Sequence, residues 1–175
     1  GCDIDRLGQV SNTPRGSEFK QVSAGQWYFV ALRKNGTLVS WGNDGYGKVS
    51  YTPRGSGFKQ VSAGSQHSVA VRENGTLVAW GSNRSHQVSR SPRSSGFKQV
   101  SAGGSHSVAV RENGTLVSWG DDDYGQISNT PARTGFKQVS AGDLYSVAIR
   151  KDGTLVSWGH DDEGQVSDTP TSSHS

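Results

Sequence analysis

The residues able to do acid–base or nucleophilic chemistry recur along the chain at a fixed spacing. His67 and His106 lie 39 residues apart, and the flanking copies of this position hold Tyr28 and Tyr145. A hydrolase needs a nucleophile, a base and an orienting group brought together at one place. A catalytic base does not alternate with tyrosine, so we interpret this position as a buried ring whose polar atom bonds to a neighbouring unit. The chain is therefore predicted not to be an enzyme.

Acidic loops that follow Trp-Gly pairs are the candidate metal ligands. Residues 121–123 are three aspartates, and residues 160–163 read His-Asp-Asp-Glu. Ca²⁺ requires six or more oxygen ligands, usually from alternating positions closed by a bidentate glutamate. The second copy of the loop contains Arg84, which is unsuited to a repeated cation site. We therefore predict no metal and no cofactor.

The same loops contain the candidate binding residues, because they vary between copies while the strand residues hardly change. Binding residues commonly lie on loops that a rigid scaffold positions. Unconstrained drift of the loops is the alternative reading. Two loop sets vary, at 43–46, 82–85, 121–124 and 160–163, and at 15–18, 54–57, 93–96 and 132–135. From the first set and its edge, we predict as ligand-binding residues Asn43, Asp44, Tyr46, Asn83, His86, Asp122, Tyr124 and Asp161.

The elements that would position these loops are β-hairpins. In residues 68–81, two runs of alternating apolar residues flank Asn74-Gly75. Asn-Gly between such runs is a strong hairpin signal and predicts a two-residue type I′ turn. Alternation places Val69 and Val71 on one face of the first strand, while Val78 and Trp80 share a face of the second.

The hairpin recurs four times with a period of 39 residues and no insertion, which makes the chain a repeat protein. A second recurring segment, Gly-Gln-Val-Ser-Asn-Thr-Pro in its first copy, occurs five times. We predict one domain over residues 1–175 with repeats at about 8–46, 47–85, 86–124 and 125–163, and an overhanging closing segment at 164–170.

Each repeat contains three or four short strands and no helical periodicity. Units of this length are typical of blades, and blades arranged radially form a propeller. A linear β-solenoid is the alternative, although solenoid coils are usually shorter. The sequence thus predicts an all-β fold, a β-propeller of four tandem blades.

The motif Ala63-Gly64-x-x-His67-Ser-Val-Ala-Val, followed by Asn74-Gly-Thr-Leu-Val-x-Trp80-Gly, resembles the regulator of chromosome condensation repeat, in its short bacterial-style form. The resemblance covers almost the whole chain and implies a β-propeller. It says little about function, because one fold hosts many activities. Family members that exchange nucleotide on a small GTPase close a seven-bladed ring and use a projecting hairpin. Since this chain has four repeats and no such insertion, exchange activity is not carried over.

Two arrangements would complete a ring from four repeats. The blades could widen into a closed four-bladed ring, or two chains could form an eight-bladed homodimer. We favour the two-chain ring slightly, because the hairpin faces that set the angle between blades match those of the family. In either arrangement, the segment at 164–170 could supply a closing strand.

Net charge and composition limit the possible binding partners and location of the protein. The net charge of +3 is modest, so nucleic acid is an unlikely partner, and the chain has no apolar run long enough to insert in a membrane. The chain starts with Gly1 and has no Met, which we interpret as the product of processing. A removed secretion signal, which would make the protein extracellular, explains this, and so does removal of a purification tag. Cys2 has no partner within the chain for a disulfide.

Function is predicted from the repeated loops. The leading hypothesis is a secreted lectin that binds glycans or glycoproteins, because repeated weak sites on one rigid body raise avidity. The alternative is a protein–protein interaction scaffold with one composite face and no exchange activity.

Overall fold

The computed structural model describes residues 8–171, which form twelve strands in four antiparallel three-stranded sheets. Each sheet is one blade, and its strands follow chain order. Blade 1 contains β1 (Phe19–Ala24), β2 (Tyr28–Arg33) and β3 (Leu38–Gly42); blade 2 contains β4 (Phe58–Ala63), β5 (His67–Arg72) and β6 (Leu77–Gly81). Blade 3 contains β7 (Phe97–Ala102), β8 (His106–Arg111) and β9 (Leu116–Gly120); blade 4 contains β10 (Phe136–Ala141), β11 (Tyr145–Arg150) and β12 (Leu155–Gly159). The prediction of an all-β propeller with four blades is confirmed.

The hairpin between the second and third strands of each blade differs from the predicted type I′ turn. In blade 1, the Arg33 amide donates to the Thr37 carbonyl, so three residues form the loop. Only Gly36 has positive φ, at 81°. The Asn35 side chain accepts hydrogen bonds from both the amide and the hydroxyl of Thr37. This bonding explains why the sequence reads Asn-Gly-Thr, and the turn is a three-residue loop with glycine at its left-handed position.

The second recurring segment forms turns and supplies no fourth strand. In its copy at 47–53, the Tyr51 amide donates to the Gly47 carbonyl and the Thr52 amide to Val49. We call this the turn segment, and its five copies are 8–14, 47–53, 86–92, 125–131 and 164–170. Each of the first four copies is joined to the blade that follows it by a hydrogen bond from the tryptophan of that blade. In the second copy, the Trp80 indole donates to the Lys48 carbonyl at 3.0 Å. The overhanging copy at 164–170 is likewise in turns.

The core lies between blades. At each junction, apolar residues of the middle strand of one blade, with Tyr28 at the first junction, pack against Phe, Val, Ala and Trp of the next blade. At the first junction these are Tyr28, Val30 and Leu32 against Phe58, Val61 and Trp80. The same pattern recurs at the next two junctions, where Trp119 and Trp158 are buried. The repeated tryptophan is thus a packing residue at these three junctions.

Polar side chains also join the blades, and they do so at the innermost strand. The free edge of that strand would expose unpaired backbone groups. At the second junction, Gln60 bonds to the amide and carbonyl of Val100, and Ser62 accepts from the Ala102 amide at 3.0 Å. The first and third junctions have the same bonds. Each blade thus binds the inner edge of the next.

The four blades do not close on each other. Val22 of β1 is 64% exposed, whereas its equivalent Val61 is 1% exposed. On blade 4, Val147 is half-buried while its equivalent Val108 is buried. Blade 1 therefore has no blade against its leading side, and blade 4 has none against its trailing side.

Among residues 8–171 there is no helix with the length and apolar character needed to span a membrane.

Candidate functional site

Two loops of each blade lie side by side at one end of the strands. The loop after the first strand (25–27 in blade 1) meets the loop after the third strand (43–47), because the Asn43 amide donates to the Trp27 carbonyl at 2.8 Å. The same bond recurs in the other blades, as from Ser82 to Gln66. We call the surface formed by these loops the loop face; its other members are 64–66, 82–86, 103–105, 121–125, 142–144 and 160–164.

All eight predicted ligand-binding residues lie on the loop face, and four of them share one structural role. Asp44 Oδ1 accepts hydrogen bonds from the amides of Val49 and Ser50, each at 2.8 Å. These bonds close the turn segment against the loop. The equivalent residues, Asn83, Asp122 and Asp161, make the same two bonds.

These bonds also govern the charge of the loop. Backbone donation from Ser50 lowers the pKa of Asp44, and donation from Ser167 and Val166 does the same for Asp161. For Asp122, desolvation raises the pKa, but the hydrogen bonds from Ser128 and Ile127 outweigh it and the net shift is downward. The carboxylates are held ionised as turn closures.

Asn43 is also part of its loop's own bonding, since its Oδ1 accepts from the Gly45 amide at 2.9 Å. The two predicted tyrosines are about half exposed and each contacts the loop of the next blade. Arg84 lies over the Tyr46 ring at 4.8 Å, and Tyr124 meets His160 edge-on at 4.3 Å. Each predicted tyrosine is therefore paired with a residue of the next loop, Arg84 or His160, that was not among the eight predicted residues.

At Trp27 and Tyr46 the backbone departs from the repeat, whereas His86 replaces a glycine that has the same positive φ in the other copies. Among residues 8–171, the non-glycine residues with positive φ are Trp27 (69°), Tyr46 (62°) and His86 (60°), and all three lie on the loop face. Such φ values are costly for bulky side chains, and strained residues often mark functional sites. Trp27 is 59% exposed. We call Trp27, Tyr46, Arg84 and His86 the aromatic patch.

Sequence reasoning missed Trp27 and Arg84 as members of this patch. The signal for Trp27 was present, because the other repeats have Gln66, Ser105 and Leu144 at its position. A second departure lies beneath the patch. Lys48 replaces the glutamine of the other turn segments, is buried, and has its ammonium 5.0 Å from the centre of the Tyr28 ring. Desolvation lowers the pKa of Lys48, and Asp44 partly offsets this.

His67 and His106, the two histidines considered as catalytic residues, instead connect neighbouring blades. His67 Nε2 lies 2.7 Å from Ser107 Oγ, and His106 Nε2 lies 2.9 Å from Ser146 Oγ. Tyr28 makes the equivalent contact, with its hydroxyl 2.7 Å from Ser68 Oγ. The predicted role of a buried ring with one polar atom bonded to the next blade is confirmed for Tyr28, His67 and His106, whereas Tyr145 is half-buried.

Burial sets the charge of these rings. Desolvation lowers the pKa of His67 to about 3 and that of His106 to about 4. The Nδ1 atoms of both are buried without a partner, so a proton there would be unsatisfied. Elsewhere in the part of the chain that the structure describes, no group of three or more His, Cys, Asp or Glu residues is arranged to hold a metal ion.

The regularity of the blades has a counterpart in a known family. The model of the regulator of chromosome condensation (RCC1) repeat matches the chain four times, at 19–48, 58–87, 97–126 and 136–165. The chain belongs to this repeat family. Each match begins at the innermost strand of one blade and ends in the turn segment of the next. No curated protein sequence matches the chain significantly.

Solved structures from three organisms share the fold. Prp20p from Saccharomyces cerevisiae superposes with a TM-score of 0.73 at 21% identity, covering 90% of this chain and 49% of Prp20p. The ectodomain of the receptor kinase CR4 from Physcomitrella patens gives 0.70 at 23% identity, covering 82% and 41% of the two chains. The ACR4 ectodomain from Arabidopsis thaliana gives 0.68 at 22% identity, covering 88% and 53%. The chain thus spans about half the length of these proteins.

Proposed function

We propose that the protein is a non-enzymatic protein-interaction scaffold that binds its partner through the aromatic patch of blades 1 and 2. The observation that carries this proposal is the coincidence of backbone strain and exposed aromatic rings at one part of the loop face. Trp27 and Tyr46 both combine positive φ with high exposure. Trp, Tyr and Arg are the residues that dominate binding energy in protein interfaces.

The family adds support for a protein partner over a sugar. Two solved structures of one relative, yeast RCC1 (Prp20), are described by protein binding: one is bound to Kap60, and the other is reported with its binding to Gsp1p and histones. The predicted lectin activity has no such support. Asp44, Asp122 and Asp161 already use one carboxylate oxygen to close their own turns, which leaves less of each side chain for sugar hydroxyls.

The two functions predict different effects of matched substitutions. Tyr46 and Tyr124 occupy equivalent positions and are 45% and 47% exposed. A lectin with equivalent sites in each repeat would lose similar amounts of binding in Tyr46→Ala and Tyr124→Ala. A scaffold that uses the aromatic patch would lose binding in Tyr46→Ala and Trp27→Ala, while Tyr124→Ala would bind as the wild type does.

The experiment isolates a stoichiometric protein partner by cross-linked affinity capture and then titrates it against the purified variants. We expect Trp27→Ala to weaken binding by about 30-fold, as for a central tryptophan in an interface. A glycan array on the multimerised protein runs in parallel. Partner binding that survives Trp27→Ala, or a glycan signal lost equally in both tyrosine variants, would contradict the scaffold proposal.

A further inference from the structure

Blades 1 and 4 each leave uncovered a face that the other junctions bury. The leading face of blade 1 contains Phe19, Val22 and Ala24, whose equivalents in blade 2 are buried against blade 1. The trailing face of blade 4 contains Val147 and Ile149, whose equivalents in blades 2 and 3 are buried against the following blade. The two uncovered faces are therefore the two halves of one ordinary junction.

The polar groups are complementary in the same way. Gln138 and Ser140 of β10 are exposed, and their side chains make no hydrogen bond within residues 8–171, unlike the Gln and Ser of the three existing junctions. At blade 1, the edge of β1 at Val22 and Ala24 receives no glutamine or serine from another blade. The free side chains of Gln138 and Ser140 on blade 4 are therefore the partners that the backbone edge of β1 lacks.

We propose that a second copy of this chain covers both faces, so that two copies complete one ring of eight blades. Gln138 and Ser140 of each copy would bind the inner edge of the other copy at Val22 and Ala24. The face on blade 1 differs from the face on blade 4, so each contact is head-to-tail, and two related by a twofold axis close the ring without leaving a free edge.

One residue at this junction differs from its equivalents. Phe29 replaces the serine that accepts the ring of the preceding blade at the other junctions, and it stacks on Trp41 at 5.3 Å. Tyr145 of the other copy would therefore meet no hydroxyl there. Its own hydroxyl can still donate to the Tyr28 carbonyl, as Tyr28 donates to the His67 carbonyl at 2.7 Å.

The turn segment limits the strength of association. The copy at 164–170 follows blade 4, and the copy at 8–14 precedes blade 1, where the Gln9 carbonyl accepts from the Trp41 indole at 2.9 Å. In the two-chain ring these two copies would compete for the single place at each junction. One copy must be displaced, so removing either should strengthen association.

The first test is the mass in solution over a range of protein concentrations, by light scattering coupled to gel filtration. The expected species at high concentration has twice the 18.6 kDa mass of one chain. Val22→Glu should abolish it without unfolding the monomer, because Val22 is already exposed. Tyr51→Glu is the matched control, since Tyr51 is 71% exposed and belongs to the turn segment joined to blade 2, not to either uncovered face.

A second pair of variants addresses the hydrogen bonds. Gln138→Ala with Ser140→Ala should weaken association by at least about tenfold, while the neighbouring Lys137→Ala should not. Deletion of residues 164–175 should strengthen it by about tenfold, because the competing turn segment is gone. A single-chain mass for the full chain and for the deletion at every concentration would overturn the proposal, as would a two-chain species that Val22→Glu leaves intact.

Discussion

Low pH should weaken the junctions between blades, and substituting His67 and His106 should remove this effect. His67 and His106 are buried at successive junctions, whereas Tyr28 fills the equivalent place with a ring that does not take up a proton. The variant His67→Tyr with His106→Tyr therefore keeps an aromatic ring with one polar atom at each junction. Its hydroxyls can bond to the serine and carbonyl of the next blade, as that of Tyr28 does.

The size of the effect follows from the pKa values. The folded-state pKa is about 3 for His67 and about 4 for His106, against about 6.5 in the unfolded chain. Below pH 6.5 the unfolded state binds protons that the folded state does not, so stability falls as the pH drops toward 4. At pH 5 the loss is about 2 kcal/mol per histidine, or about 4 kcal/mol for both. That is a large share of the stability of an ordinary domain.

The assay is urea denaturation at pH 7 and pH 5, followed by tryptophan fluorescence. Wild type should lose about 4 kcal/mol between the two pH values, the single variant His67→Tyr about half of that, and the double variant almost none. The carboxylates that close the turns contribute little here, because their loss of stability begins near pH 4. A double variant that is stable at pH 7 yet keeps the full wild-type slope would refute the reasoning.

Three further predictions concern single contacts. Trp80→Phe should cost about 1–2 kcal/mol in thermal or urea denaturation, because the Lys48 carbonyl loses its indole donor while the ring remains; an unchanged midpoint would contradict this. Asp122→Ala should cost about 1 kcal/mol by removing the acceptor that closes the turn, whereas Asp122→Asn should be nearly neutral because Asn83 makes the same bonds. Trp27→Gly should stabilise the fold by several tenths of a kcal/mol, since glycine tolerates its φ of 69°, while abolishing partner binding; a destabilised variant would show that the strain is absent.

The sequence predicted the blades better than the details that specify the loops. Asn74-Gly75 between alternating apolar residues identified the hairpin, but its turn type depends on the bonds that the Asn74 side chain makes to Thr76. The carboxylate of Asp44 was interpreted as a ligand because turn closure and ligand binding favour the same exposed residue. Positive φ at Trp27 leaves no mark in the sequence beyond an unusual residue at that position.

The residues that join the blades could not be identified from the sequence, for a different reason. Gln60 and Ser62 recur in every repeat, yet a pattern present in all copies does not say which residue in another copy it contacts. The structure shows that the partner lies 40 residues onward. An insertion within the innermost strand would move the glutamine and serine out of register with the edge they bind, so the length of this strand is constrained.

The residues that join blades and the residues of the aromatic patch are separate sets, so ring closure and partner binding can be altered independently. The junction residues are nearly the same in all blades, while the aromatic patch belongs to blades 1 and 2 alone. A two-chain ring would present two such patches on opposite sides. A partner immobilised at high density would then engage both and gain avidity over a single contact. Val22→Glu should therefore dissociate rapidly from a dense surface, yet bind soluble partner with wild-type affinity per chain. Equal dissociation of wild type and Val22→Glu from the dense surface would show that the two patches do not act together.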